Sequence, residues 1–86
     1  MRALFVGGTI DNGELDLEVD TPPTHYPPNT GGGATRYRLR RLGRNGEVIA
    51  YAVYGAPELP DDEVERVADE RAYARRFDAE EHAVEN

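Results

Sequence analysis

The chain has 86 residues and a formal net charge of −7, with 38 % hydrophobic and 31 % charged residues, which allows one small domain with a modest core. It contains no Cys, Trp, Ser, Gln or Lys, so all ten basic residues are Arg. Disulfides, thiolate metal centres, Ser or Cys nucleophiles, Schiff-base lysines and a Lys-dependent phosphate loop are thereby excluded.

Residues Arg2 to Val6 form a short apolar run ended by Gly7-Gly8, the pattern of a first strand. After the turn signal Asp11-Asn12-Gly13, the segment Glu14 to Val19 alternates with period two. That alternation predicts Leu15, Leu17 and Val19 on the core side and Glu14, Asp16 and Glu18 outward.

Residues 20–34 hold Pro22, Pro23, Pro27, Pro28 and the triplet Gly31-Gly32-Gly33, a loop longer than ordinary connections. It reads either as a surface wrap and tether or as a binding loop presenting His25 and Tyr26. Thr35 to Leu42 alternates again, Asn45-Gly46 is a hairpin signal, and Glu47 to Tyr54 completes the pair. Apolar groups on both faces of this last strand predict a central place in the sheet.

Pro60-Asp61-Asp62-Glu63 reads as a helix start, with Pro at the first turn and three acids complementing the helix dipole. Its period predicts one helix from Pro60 to about Ala79, with Val64, Val67, Ala68, Ala72 and Ala74 on the core stripe. Tyr73 and Phe77 fall on the opposite side of such a helix, which makes them candidates for an interface between two copies of the chain. The small core points the same way, to a homo-oligomer and most simply a homodimer. Residues 80–86 read as a frayed tail. No window is long and apolar enough for a membrane span, and the first twenty residues lack the pattern of a signal peptide. A cytoplasmic protein without membrane contact is therefore expected.

Charge is unevenly placed. Arg36, Arg38, Arg40, Arg41 and Arg44 stand against Glu47 alone, while residues 55 to 86 set eleven acids against four Arg. The overall acidity argues against direct binding of double-stranded nucleic acid. Two readings of the basic strand stay open. Arg36, Arg38 and Arg40 pair across strands with Glu14, Asp16 and Glu18, or some remain free as an anion site, with Gly31, Gly32, Gly33 and Thr35 supplying backbone and hydroxyl donors, Arg36 and Arg38 the charge, and Tyr26 a stacking ring. Catalysis is not expected, because His25 lies in the Pro loop and His82 in the tail. Neither a metal nor any other cofactor is implied by the spacing of the carboxylates.

Phe5-Val6-Gly7-Gly8, Asp11-Asn12-Gly13, the Pro-rich loop, Tyr37-Arg38-Leu39, the Tyr51 to Tyr54 strand and Pro60-Asp61-Asp62-Glu63-Val64 together resemble small accessory proteins of bacteriophages and prophages in GC-rich hosts. Gly8-Thr9-Ile10 stands where that group carries a Pro-containing turn. The resemblance implies a non-catalytic protein that inhibits a host defence target by binding, and it transfers no site residues. The sequence thus predicts an α+β domain with a mostly antiparallel sheet of about four strands and one C-terminal helix packed on it. Its partner is expected to be a host protein met through the acidic helix and tail or, in the alternative reading, a nucleotide-like signal molecule sequestered at the Gly/Arg site.

Overall fold

The computed structural model describes residues 1–27 and 36–84. Six strands form one sheet: β1 (Arg2–Val6), β2 (Glu14–Asp16), β3 (His25–Tyr26), β4 (Tyr37–Asn45), β5 (Val48–Gly55) and β6 (Glu80–Ala83). Their order is β2-β1-β5-β4-β3, with β6 beside β3 on the same edge of β4. The α+β class holds, but the sheet is mixed. β1 runs parallel to β5, with Leu4 opposite Val53, and the remaining pairings are antiparallel. β5 lies at the centre as its two apolar faces demand, and that position separates the acidic β2 from the arginine-rich β4.

One face of the sheet packs Leu4, Val6, Tyr51 and Val53 against Val64, Ala68 and Tyr73 from the helical segment. The other buries Ala3, Phe5, Tyr37, Leu39, Ala52 and Tyr54. The described part of the Pro-rich segment supports this second face: Tyr26 packs on Phe5 and Tyr54, and the Tyr54 hydroxyl donates to the Pro23 carbonyl at 2.7 Å. From the alternation after the first turn only Leu17 joins the core, whereas Leu15 and Val19 are exposed.

Tyr51 and Tyr54 are fully buried. Burial raises both phenols well above the ordinary tyrosine range; the Glu81 carboxylate that Tyr51 donates to adds to its shift, and nearby Tyr26 adds to that of Tyr54. A phenol whose pKa is raised on folding stabilises the fold fully below the unfolded value of about 10, and that stability is lost as pH climbs through the folded value. Stability should therefore hold from neutrality to about pH 10 and fall above it. Phenolate absorbance should show at least two tyrosines ionising only together with unfolding; five tyrosines titrating reversibly in a folded chain would refute this.

A β-bulge between Leu39 and Arg41 lets Leu39 and Leu42 both join the face built on Phe5, although strict alternation would separate them. Gly43 lies opposite Tyr51, where a Cβ would come within 2.1 Å of the ring. Gly8 has φ +68°, and a Cβ there would meet the Tyr37 hydroxyl at 2.4 Å. That hydroxyl donates to the Gly7 carbonyl and accepts from the Ile10 amide, fastening the turn after β1 to β4.

The single helix predicted from Pro60 to Ala79 is two. α1 (Asp61–Glu70) starts after Pro60, as the first-turn acids suggest, and α2 (Tyr73–Arg76) follows a break at Ala72, which takes the left-handed conformation at φ 55°. The break rotates the following residues about the axis, so Tyr73 is buried against Tyr51 and Phe77 packs on the same ring at 5.0 Å between centroids. These aromatics, expected between copies, serve the chain's own core. The predicted frayed tail is likewise corrected for residues 80–83: β6 pairs with Arg41 to Arg44, and the Val84 amide donates to the Arg40 carbonyl at 3.0 Å.

Candidate functional site

The described residues of the predicted anion site do not come together in the structure. Gly31, Gly32, Gly33 and Thr35 lie outside the described residues. Tyr26 and Arg38 sit on neighbouring strands, but Tyr26 pairs with Tyr37 while Arg38 pairs with His25. Successive strand residues point to opposite faces. Tyr26 is packed in the aromatic cluster with Phe5 and Tyr54, whereas Arg38 reaches Asp61 at the start of α1, 3.5 Å away. Arg36 precedes β4 and makes no ion pair with any described residue. Of the predicted ligand-binding set, Arg36 lies just before β4, Arg38 lies on it within 3.5 Å of Asp61, and the Tyr26 ring is committed elsewhere.

The carboxylates that neutralise the basic strand differ from those predicted. Arg40 is buried and donates to Asp61 at 2.8 Å and to the Ala56 carbonyl at 2.9 Å. Arg41 pairs with Glu81, whose other oxygen accepts from the Tyr51 hydroxyl at 2.7 Å. Arg44 donates through Nε to His82 Nε2 at 3.0 Å. Glu14 and Asp16 bind Arg2 of the adjacent β1, and Glu14 also binds Arg76. The predicted ladder of Glu14, Asp16 and Glu18 against Arg36, Arg38 and Arg40 is thus replaced by ties from β4 to α1 and β6, because β1 and β5 lie between β2 and β4.

A second set of ions holds the helical segment to the first turn. Arg71 donates to Asp11 at 2.8 Å and to the Phe5 carbonyl at 3.2 Å. Arg71 and the Gly7 amide, which also donates to Asp11, hold the Asp11 carboxyl below the usual carboxylate range. Arg76 and Arg2 do the same for Glu14.

With the arginines turned inward, the outward surface of α1 remains acidic. Its cation Arg66 is shared between Glu63 and Glu70. Glu58, Asp62 and Asp69 are exposed and make no ion pair with any described residue. Among the described residues no three His, Asp or Glu side chains gather as a metal-binding group, and no helix is long and apolar enough to cross a membrane. His25 and His82 lie on strands at opposite ends of the β4 edge, with no shared partner. The sequence could have signalled the role of Glu81 only through its place two residues before an apolar Ala83-Val84 pair; the acidic face of α1 was legible from its spacing. Comparison with protein-family models, with curated proteins and with solved structures finds no match for this chain.

Proposed function

We propose that the chain is a non-catalytic accessory protein of the phage type, which inhibits a host target by laying the acidic outer surface of α1 on a basic surface of that target. One observation carries this reading: Arg38, Arg40 and Arg41 are taken up by Asp61 and Glu81, while Glu58 and Asp62 are exposed and make no ion pair with any described residue. Such an unbalanced surface speeds encounter with an oppositely charged partner and is screened by salt. The resemblance to phage proteins supports a target in the host.

The experiment compares wild-type protein with the pair Glu58→Gln and Asp62→Asn, and with a control pair, Glu18→Gln and Glu47→Gln, that removes the same charge elsewhere. For a partner captured from a plausible host and then purified, the first pair should slow association by about tenfold at low salt and flatten its salt dependence. The control should change little. Equal effects of both pairs would reduce the reading to bulk charge, and no effect of either would overturn it. The alternative, a module holding a nucleotide-like signal molecule, retains Arg36 and Arg38 as its cations. It ranks second because the Tyr26 ring meant for the base is packed on Phe5.

A further inference from the structure

A cleft of about 330 Å³ opens where the helical segment breaks, between the α1–α2 junction and the β4–β6 strands. Ala68, Ala72 and Ala74 give it an apolar wall of methyl groups, and Arg41, Asp69, Arg75 and Glu81 supply its charges. The break itself creates the space. Ala72 holds a left-handed φ of 55° without being glycine, a conformation that persists only where surrounding contacts enforce it. Here Arg71, anchored on Asp11 and Phe5, and Tyr73, buried against Tyr51, fix the chain on either side.

The charges of this cleft are unequally satisfied. Glu81 is nearly buried and both its oxygens are engaged, by Arg41 Nε and by the Tyr51 hydroxyl. Arg41, also mostly buried, donates through Nε to Glu81 and holds Nη1 3.9 Å from the Glu65 carboxylate; its Nη groups make no hydrogen bond to a described residue. Arg75 and Asp69 are exposed at the rim and make no ion pair with any described residue. The Arg41 Nη groups, the Arg75 guanidinium and the Asp69 carboxylate thus line a small hollow without a hydrogen-bond partner among the described residues, beside the Arg41–Glu81 pair. A hollow of about 480 Å³ beside Arg44 is different, because Arg44 is bonded to His82 and Asn45 to the Asp78 carbonyl.

We propose that this cleft binds a small zwitterion of the free α-amino acid class, its carboxylate on Arg41 and Arg75 and its ammonium on Asp69. With Arg41 and Glu81 offsetting each other, Arg75 and Asp69 remain as one charge of each sign, so a single ion would leave one of them unanswered. The volume lies at the bottom of the range for small-molecule sites, which suits a ligand of this size. Guanidinium and carboxylate pair through charge-assisted, directional hydrogen bonds, so both ends of the ligand gain specific partners.

The test is a titration of the isotope-labelled full chain with L-alanine, L-glutamate and L-arginine, followed by amide and Arg Nε resonances. Acetate and ethylammonium serve as single-charge probes. At least one amino acid should give saturable shifts at Asp69, Ala72, Ala74 and Arg41 with a millimolar or tighter Kd, at least about tenfold below that of either single-charge probe. Arg75→Ala and Asp69→Asn change exposed side chains and should leave the spectrum folded while each weakens binding by about tenfold. Linear, unsaturated shifts for all three amino acids would overturn the proposal, as would acetate binding as tightly as the amino acids or full binding by Arg75→Ala. Arg75→Ala removes no acid from the α1 surface and the pair Glu58→Gln with Asp62→Asn leaves the cleft lining intact, so failure here leaves the protein-binding reading standing, and the reverse also holds.

Discussion

Glu81→Ala should destabilise the chain by about 3–5 kcal/mol, the cost of leaving a buried partner unpaired. The loss is large because Glu81 serves two buried groups at once, the Arg41 guanidinium and the Tyr51 hydroxyl, and because it sits on the strand that covers the outer edge of β4. At roughly 0.05–0.15 kcal/mol per residue, a domain of this size has only about 4–13 kcal/mol in total. Thermal melting should accordingly shift down by more than about 12 °C. Glu81→Gln, which keeps an acceptor for Tyr51 but loses the charge facing Arg41, should fall between. Glu80→Ala, exposed on the same strand, should stay within about 0.5 kcal/mol of wild type. A melting point for Glu81→Ala equal to that of Glu80→Ala would mean that β6 does not dock through this side chain.

Gly43→Ala is expected to cost about 3 kcal/mol, the upper end of ordinary overpacking. Its added methyl would fall 2.1–2.6 Å from three atoms of the Tyr51 ring. That ring has nowhere to retreat, being held by Tyr73 and Phe77 on its sides and by Glu81 at its hydroxyl. The comparison is Gly46→Asn. Gly46 also needs special treatment, with φ +65°, but a Cβ there meets nothing within 4 Å, and Asn tolerates the left-handed region. Chemical denaturation should place Gly46→Asn within about 1 kcal/mol of wild type and Gly43→Ala well below it. Equal midpoints for the two variants would show that Tyr51 adapts, contrary to the packing described.

The local elements were legible wherever neighbouring residues decide them. Asn45-Gly46 marks the hairpin because two residues of positive-φ tolerance sit between two strand patterns, and the register there pairs Asn45 with Val48. Pro60 with three following acids marks the start of α1 for equally local reasons. What escaped the sequence was decided at a distance. The parallel union of β1 and β5 depends on both strands finding the sheet centre, and no residue adjacent to either encodes it. The break at Ala72 carries neither Gly nor Pro; it arises because Arg71 and Tyr73 are claimed by different parts of the core. β6 has an unpromising Glu-Glu-His-Ala composition, and its strand form comes from the free edge of β4 and the buried needs of Arg41 and Tyr51. The charge ladder was misplaced for the same reason: opposite charges on alternating strands are compatible with many pairings, and only the strand order chooses among them. In the predicted anion site, alternation across the β3–β4 pair puts the Arg38 side chain on the face away from Tyr26.

The strand order also has a kinetic consequence. Only β4 and β5 are joined by a tight turn, whereas Leu4 must find Val53 and Gly43 must find Glu81 across long stretches of chain. Closing long loops costs entropy before any contact repays it. The central hairpin therefore has the lowest closure cost and is expected to form first, with β1 then recruited to β5 and β6 to β4 at its opposite edges. Assembly is expected to proceed outward from β4 and β5, so that β1 and β6 both wait on the same two strands.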